Sequence, residues 1–200
     1  MTTPCKKLKR HQAKNPTSTM LKWEQKYLEP LVQNLMTEGP PSVILLRGIS
    51  GSGKSTLCNR LTALLGADKV SHCSADDYFT DENGAYHFDA SKLPDAHAVC
   101  VAALENALVD PSIRVILVDR THTRLWHMSN AEQVAKKHGA RVFVLEIVVP
   151  DNAHFSLCYQ RQRHNVPKDV LYDQWMGWEK YLGPCVRVPM FVSRQEMGLL

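Results

Sequence analysis

The sequence predicts a single α/β domain, built on a parallel sheet of four or five strands with helices on both faces. Three observations carry this expectation. Short apolar runs at 43–46, 114–119 and 142–149 alternate with stretches whose apolar residues recur at helical spacing, the pattern of strand–helix–strand units. The runs are nearly continuous in Val, Ile and Leu, as in strands buried on both faces. The chain has 200 residues, which suits one domain with a sizeable core.

The first run leads into a glycine-rich turn and then a helical pattern. Gly48, four residues, then Gly53, Lys54 and Ser55 have the spacing of the loop that cradles phosphates in nucleoside triphosphate enzymes. Glycines at 48, 51 and 53 let the backbone bring successive N–H groups onto phosphate oxygens. The helix from about Ser55 points its positive end at the same anion. Ser50, Gly51, Ser52, Gly53 and Thr56 complete the cradle, Lys54 reaches the β- and γ-phosphates, and the Ser55 hydroxyl ligates Mg²⁺. A Gly/Ser-rich surface turn is the alternative. The apolar run before the loop and Leu57, Leu61, Leu64 and Leu65 after it favour the phosphate loop.

The formal charge of +4 is unevenly placed. Lys6, Lys7, Lys9, Arg10, Lys14 and Lys22 all precede the first acid, Glu24, and without them the remainder carries −2. The body is therefore not a broadly basic nucleic-acid binder, and polyanion contacts fall to local clusters or to the arm. Residues 1–18 read as a basic flexible arm: a solvated tail, a nuclear-import or nucleic-acid-binding run, or part of an organellar transit peptide. No apolar run nears the roughly 18 residues of a membrane-spanning helix. The six cysteines are scattered without a Cys-x-x-Cys pair, and read as buried or free thiols in a reducing compartment rather than as a zinc site or disulfide framework. The expected location is intracellular, cytoplasmic or nuclear, with mitochondrial targeting by the arm as an alternative.

In chain order, residues 19–41 read as a helical extension, with Pro30 at a break or first turn, and 42–200 as the domain proper. After the first helix, 69–73 forms a short second strand, and Asp76 and Asp77 follow at its carboxyl end. Functional groups collect at such ends in doubly wound folds, although paired acids also serve as helix caps and first-turn charges. A helix is expected from about Asp95 to Leu108. The next strand ends in Asp119, the form of a Walker-B-like strand, with Arg120, Thr121 and His122 in the loop behind it. A helix from about Arg124 to Lys137 ends at His138 and Gly139. Arg161, Arg163 and His164 then precede Pro167 and a helix from Lys168 to about Tyr181. That segment reads either as a lid bringing guanidinium groups to a triphosphate or as an exposed charged helix. A terminal edge strand is placed at 185–192, and Trp175, Trp178 and Tyr181 are assigned to packing.

Taken together, these motifs make residues 42–181 resemble the polynucleotide 5′-hydroxyl kinase family, within the AAA-type and zeta-toxin-like group of P-loop kinases. The likeness rests on the loop at 48–56, on Ala75 to Phe79, and on Gly84 to Phe88 with Ala96 and His97. It continues through Asp119 to His122 with Trp126 and Met128, and Arg161 to His164 ahead of Val166 and Pro167. The resemblance implies a P-loop kinase fold with an arginine-bearing lid. It also implies ATP as donor, Mg²⁺ as cofactor, and transfer of the γ-phosphate to the 5′ end of RNA or DNA. By position, Asp76 becomes the general base, Lys54 and Ser55 hold phosphate and metal, and Asp119 lies near acceptor and metal. Arg161 and Arg163 match the lid arginines. Phe79 stands where the phage enzymes carry a phosphate-gripping arginine, and Arg120 and His122 replace asparagines. Arg120 and Thr121, with His122, remain the acceptor-side candidates. A small-molecule hydroxyl kinase and a nucleotide-binding adaptor without transfer are the alternatives.

Overall fold

A computed structural model describes residues 20–190, so the basic arm and the last expected strand residues lie outside it. Five strands form one sheet: β1 (Ser42–Arg47), β2 (Val70–Ser74), β3 (Val115–Asp119), β4 (Arg141–Val148) and β5 (Cys185–Pro189). Their spatial order is β2-β3-β1-β4-β5, and every neighbouring pair is parallel. This is the α/β architecture expected from the sequence, with five strands. Among the described residues, β5 pairs only with β4, at the sheet's edge.

The helices are α1 (Lys22–Tyr27), α2 (Glu29–Met36), α3 (Lys54–Leu65), α4 (Leu93–Val109), α5 (Ser129–Lys137), α6 (Asn152–Arg161) and α7 (Lys168–Met176). Strand alternation divides them between two cores. Ile44, Leu46, Leu117 and Leu145 face α1, α2, α3, α6 and α7. Val43, Leu45, Ile116 and Val118 face α4 and α5. Because successive side chains point to opposite faces, a run apolar at every position can serve both layers.

Two helices are shorter than their sequence patterns. The stretch expected as helix from Arg124 opens instead with a 3₁₀ turn (Leu125–Met128), and α5 starts at Ser129. The expected Lys168–Tyr181 helix stops at Met176, where Gly177 follows and Trp178 turns back over Arg47. The N-terminal extension is tied to the phosphate-loop helix through Glu24. Its fully buried carboxylate receives Arg60 Nη2 at 2.9 Å and the Leu21 N–H at 2.7 Å.

Parallel registry lines up the carboxyl ends. Ser74 pairs with Asp119, and Asp119 with Leu46, so the ends of β2, β3 and β1 form one row, with the phosphate-loop motif leaving its last member.

Candidate active site

The loop leaving β1 enters α3 through Gly53, whose φ is +106°, and no side chain caps the helix. The first-turn N–H groups of a helix have no partner inside it, so an uncapped N-terminus behind a glycine loop could hold an anion. The Ser52 hydroxyl, buried in the same loop, has no hydrogen-bond partner among the described residues. Lys54 folds back so that Nζ donates to the Ile49 carbonyl at 3.1 Å. The Ser50 N–H donates to Gln174 Oε1 on α7 at 2.9 Å.

Gly51 has φ +76°, and a Cβ there would overlap the Cys158 carbonyl oxygen on α6. The helix bearing Arg161 at its C-terminus thus lies directly on the phosphate loop. Arg161 and Arg163 are both exposed.

Asp119 closes the row from β3. Ser55 Oγ donates to its Oδ2 at 2.8 Å, and His72 Nε2 lies 3.3 Å from the same oxygen. Burial alone would raise this carboxyl. The His72 hydrogen bond, the Lys54 charge and the Ser55 hydroxyl outweigh it and hold Asp119 below the usual carboxylate range. A serine hydroxyl beside an ionised aspartate, under an uncapped helix and an unpaired loop hydroxyl, is a donor set that fits Mg²⁺ and a nucleotide phosphate. Cys58, one turn along α3 from Ser55, adjoins the group, its thiol pushed up by burial and by Asp119.

Asp76 has a different setting. It opens a 3₁₀ turn (Asp76–Phe79) after β2, its backbone N–H donating to Ser74 Oγ at 3.2 Å. Its side chain is 52% exposed, against 5% for Asp119. Tyr86 Oη donates to Asp76 Oδ1 at 3.3 Å, and His164 Nε2 lies 3.5 Å from Oδ2, with the Tyr86 and His164 rings in contact. The segment before Pro167 therefore reaches Asp76 through its histidine. Phe79 is buried among Tyr78, Tyr86 and Phe88, which accounts for an aromatic residue at that position.

The loop behind β3 sends its side chains to different places. Gly48 N–H donates to the Thr121 carbonyl at 3.0 Å, so this loop touches the start of the phosphate loop. Arg120 has no carboxylate partner among the described residues and lines a groove of about 770 Å³ with His97, Trp126 and His127. His122 is enclosed, 1% exposed at φ +43°, with Nδ1 2.7 Å from the Leu46 carbonyl. His122, expected on the acceptor side, thus has its ring enclosed against the Leu46 carbonyl, and its own carbonyl accepts from Arg47.

Sequence reasoning missed Arg47. The last residue of β1 is fully buried and forms an ion pair with Glu146 on β4. Its guanidinium also donates to the carbonyls of His122 (2.8 Å), Glu179 (2.7 Å) and Thr123 (3.2 Å), and stacks on Trp178 at 4.3 Å. The signal was a single charge in each of two apolar runs, which the register places side by side. His72, within the second strand, and Gln174 were also overlooked.

A family model described as an AAA domain (AAA_33) matches residues 43–185. Among solved structures, the fold is similar to a gluconokinase from Sinorhizobium meliloti 1021, with a TM-score of 0.52 at 17% identity, covering 80% of this chain and 89% of that one. It is similar to Chaetomium thermophilum Kti12 in complex with ADP-AlF3, with a TM-score of 0.54 at 13% identity over 78% and 93%. It is also similar to the Mycobacterium tuberculosis APS kinase CysC in complex with AMPPNP and APS, with a TM-score of 0.51 at 17% identity over 80% and 94%. These are likenesses of fold.

Proposed function

The chain belongs to the AAA_33 family, and from that membership we propose that it is an ATP- and Mg²⁺-dependent kinase acting on a hydroxyl. The carrying observation is the unequal burial of two aspartates at neighbouring strand ends. Asp119 is enclosed and accepts the Ser55 hydroxyl, whereas Asp76 is half exposed between Tyr86 and His164. Holding a nucleotide requires only the first. A carboxylate kept open to an incoming hydroxyl suits the second as general base, and this favours a transferase over an adaptor.

The residues divide the work accordingly. The loop from Gly48 to Thr56 would wrap the donor phosphates with its unoccupied N–H groups and Lys54, and Ser55 and Asp119 would hold the metal. Bound ATP and Mg²⁺ supply the phosphoryl group and neutralise its developing charge. Asp76 orients the acceptor hydroxyl and takes its proton. Arg161 at the end of α6 and Arg163 just beyond it would stabilise charge on the transferring group.

For the acceptor, we favour the 5′-hydroxyl of RNA or DNA, with its first phosphodiester held by Arg120 and Thr121 beside it. A small anionic molecule is the second reading. It is favoured by the groove beside Arg120, whose volume falls in the range of small-ligand pockets. The test is transfer of labelled γ-phosphate from ATP to a panel of 5′-hydroxyl oligonucleotides, nucleosides and anionic metabolites. Turnover confined to oligonucleotides supports the first reading, and turnover confined to metabolites supports the second. No transfer to any acceptor, with ATP still bound, overturns both.

A further inference from the structure

Three groups of different chemistry converge behind the Ser55–Asp119 pair. Cys58 Sγ comes from α3, a His72 ring nitrogen from β2 and an Asp119 carboxylate oxygen from β3, and all lie within 4.8 Å of one another. Cys58 is buried and Asp119 nearly so, while His72 is 20% exposed. Mg²⁺ binds through oxygen and has no use for a thiol or an imidazole. A thiolate, an imidazole and a carboxylate are instead the ligand types of Zn²⁺ and related borderline cations.

We propose that Cys58, His72 and Asp119 form a transition-metal site that takes Zn²⁺ and overlaps the Mg²⁺ position at Asp119. Metal–ligand bonds of about 2.0–2.3 Å in a tetrahedron separate ligand atoms by about 3.3–3.8 Å, so each atom moves by less than about 1 Å to close on one cation. Ser55 Oγ, 2.8 Å from Asp119 Oδ2, or a water fills the fourth position. On binding, the Cys58 thiol gives up its proton to solvent as the sulfur–metal bond forms, and His72 presents its neutral ring. The occupied site engages Asp119 and excludes Mg²⁺ from it, which makes Zn²⁺ an inhibitor of nucleotide binding. The overlap with Mg²⁺ rests on the proposed role of Asp119, whereas the three ligands gather without it, so loss of the Co²⁺ band and failure of Mg²⁺–ATP to displace it report on the two readings separately.

Co²⁺ is the probe, because a thiolate ligand gives it a strong near-ultraviolet charge-transfer band that Mg²⁺ and Zn²⁺ lack. The full chain, reduced and anaerobic, is titrated with Co²⁺ and then with Zn²⁺. The expected result is a saturable band that Zn²⁺ displaces, following the order of divalent affinities, and that Mg²⁺–ATP also displaces by competing for Asp119. Cys58→Ser should abolish the band, Cys100→Ser should leave it unchanged, and His72→Ala should weaken Co²⁺ affinity at least 10-fold. Thermal melting without metal checks that each variant folds. If Cys58→Ser does not fold, His72→Ala decides, since its ring is partly exposed. Absence of the band at saturating Co²⁺, its survival in Cys58→Ser, or unchanged affinity in His72→Ala overturns the proposal.

Discussion

Replacing Arg47 with methionine keeps the side chain's length and apolar stem but removes a guanidinium that serves four partners. The Glu146 carboxylate loses its buried counterion, and the carbonyls of His122, Thr123 and Glu179 lose their donor. Breaking a buried ion pair from one side costs about 3–5 kcal/mol, because the remaining charge stays desolvated. Arg187 lies 2.9 Å from the other Glu146 oxygen and retains part of the compensation. The expected loss is therefore at the lower end, about 3 kcal/mol. For a chain of this size each kcal/mol moves the thermal midpoint by about 2–4 °C, giving a fall of about 6–12 °C. Circular-dichroism melts and urea titration measure it. The double variant Arg47→Met/Glu146→Leu should recover part of the loss, since an apolar pair leaves no stranded charge. A single-variant loss below about 1 kcal/mol, the range of an exposed pair, would refute the central position assigned to Arg47.

The other expectations concern the site and its pH response. Lys54→Ala should abolish phosphoryl transfer in a labelled-phosphate assay while the melting curve stays close to wild type, and unchanged turnover removes the loop from the mechanism. Asp76→Asn should lower the transfer rate by roughly 10²–10⁴ and barely change ATP affinity; collapse of ATP binding instead makes Asp76 part of the nucleotide site. Gly51→Ala should sharply weaken nucleotide binding in calorimetry, because the added carbon meets the Cys158 carbonyl and the backbone is left-handed there. His122 is held at about 3, chiefly by burial and then by the Arg120 charge. Above about pH 6.5 its ring is neutral folded or unfolded and contributes nothing to pH dependence. Below that, the unfolded chain binds a proton that the folded chain refuses. Stability should then fall by up to about 1.4 kcal/mol per pH unit toward pH 3, and His122→Asn should remove that share of the slope in acid-denaturation curves.

The parts legible in the sequence are those governed by neighbours along the chain. The loop's spacing, the doubly apolar strands and the acid ending β3 follow from local pattern, and the strand and loop boundaries came within a residue or two. What depends on strand order was not legible. His72 reads as one residue of a short strand, and becomes a partner of Asp119 only because β2 lies beside β3. Arg47 and Glu146 are 99 residues apart, and nothing local says that their strands are adjacent. The late start of α5 and the early end of α7 came from tertiary packing: helical periodicity covers residues whose backbone is needed elsewhere. Trp178 is drawn over Arg47, and the Glu179 N–H donates to the Thr123 carbonyl. The enclosure of His122 was obscured in the same way, since a histidine in the loop after a strand carries no local sign of whether the fold will bury it.

The touch between Gly51 and Cys158 sets the mechanics of everything that follows it on α6. Two backbones already in contact cannot approach further, so the helix has no inward translation left. It can turn about that point. Arg161 lies three residues beyond the fulcrum, about 4.5 Å along the axis, and Arg163 lies further out past the helix end. A small rotation there becomes a displacement that grows with distance along the arm, greatest where the chain reaches His164 and Asp76. The glycine loop would then be the bearing of a lever whose far end meets Asp76.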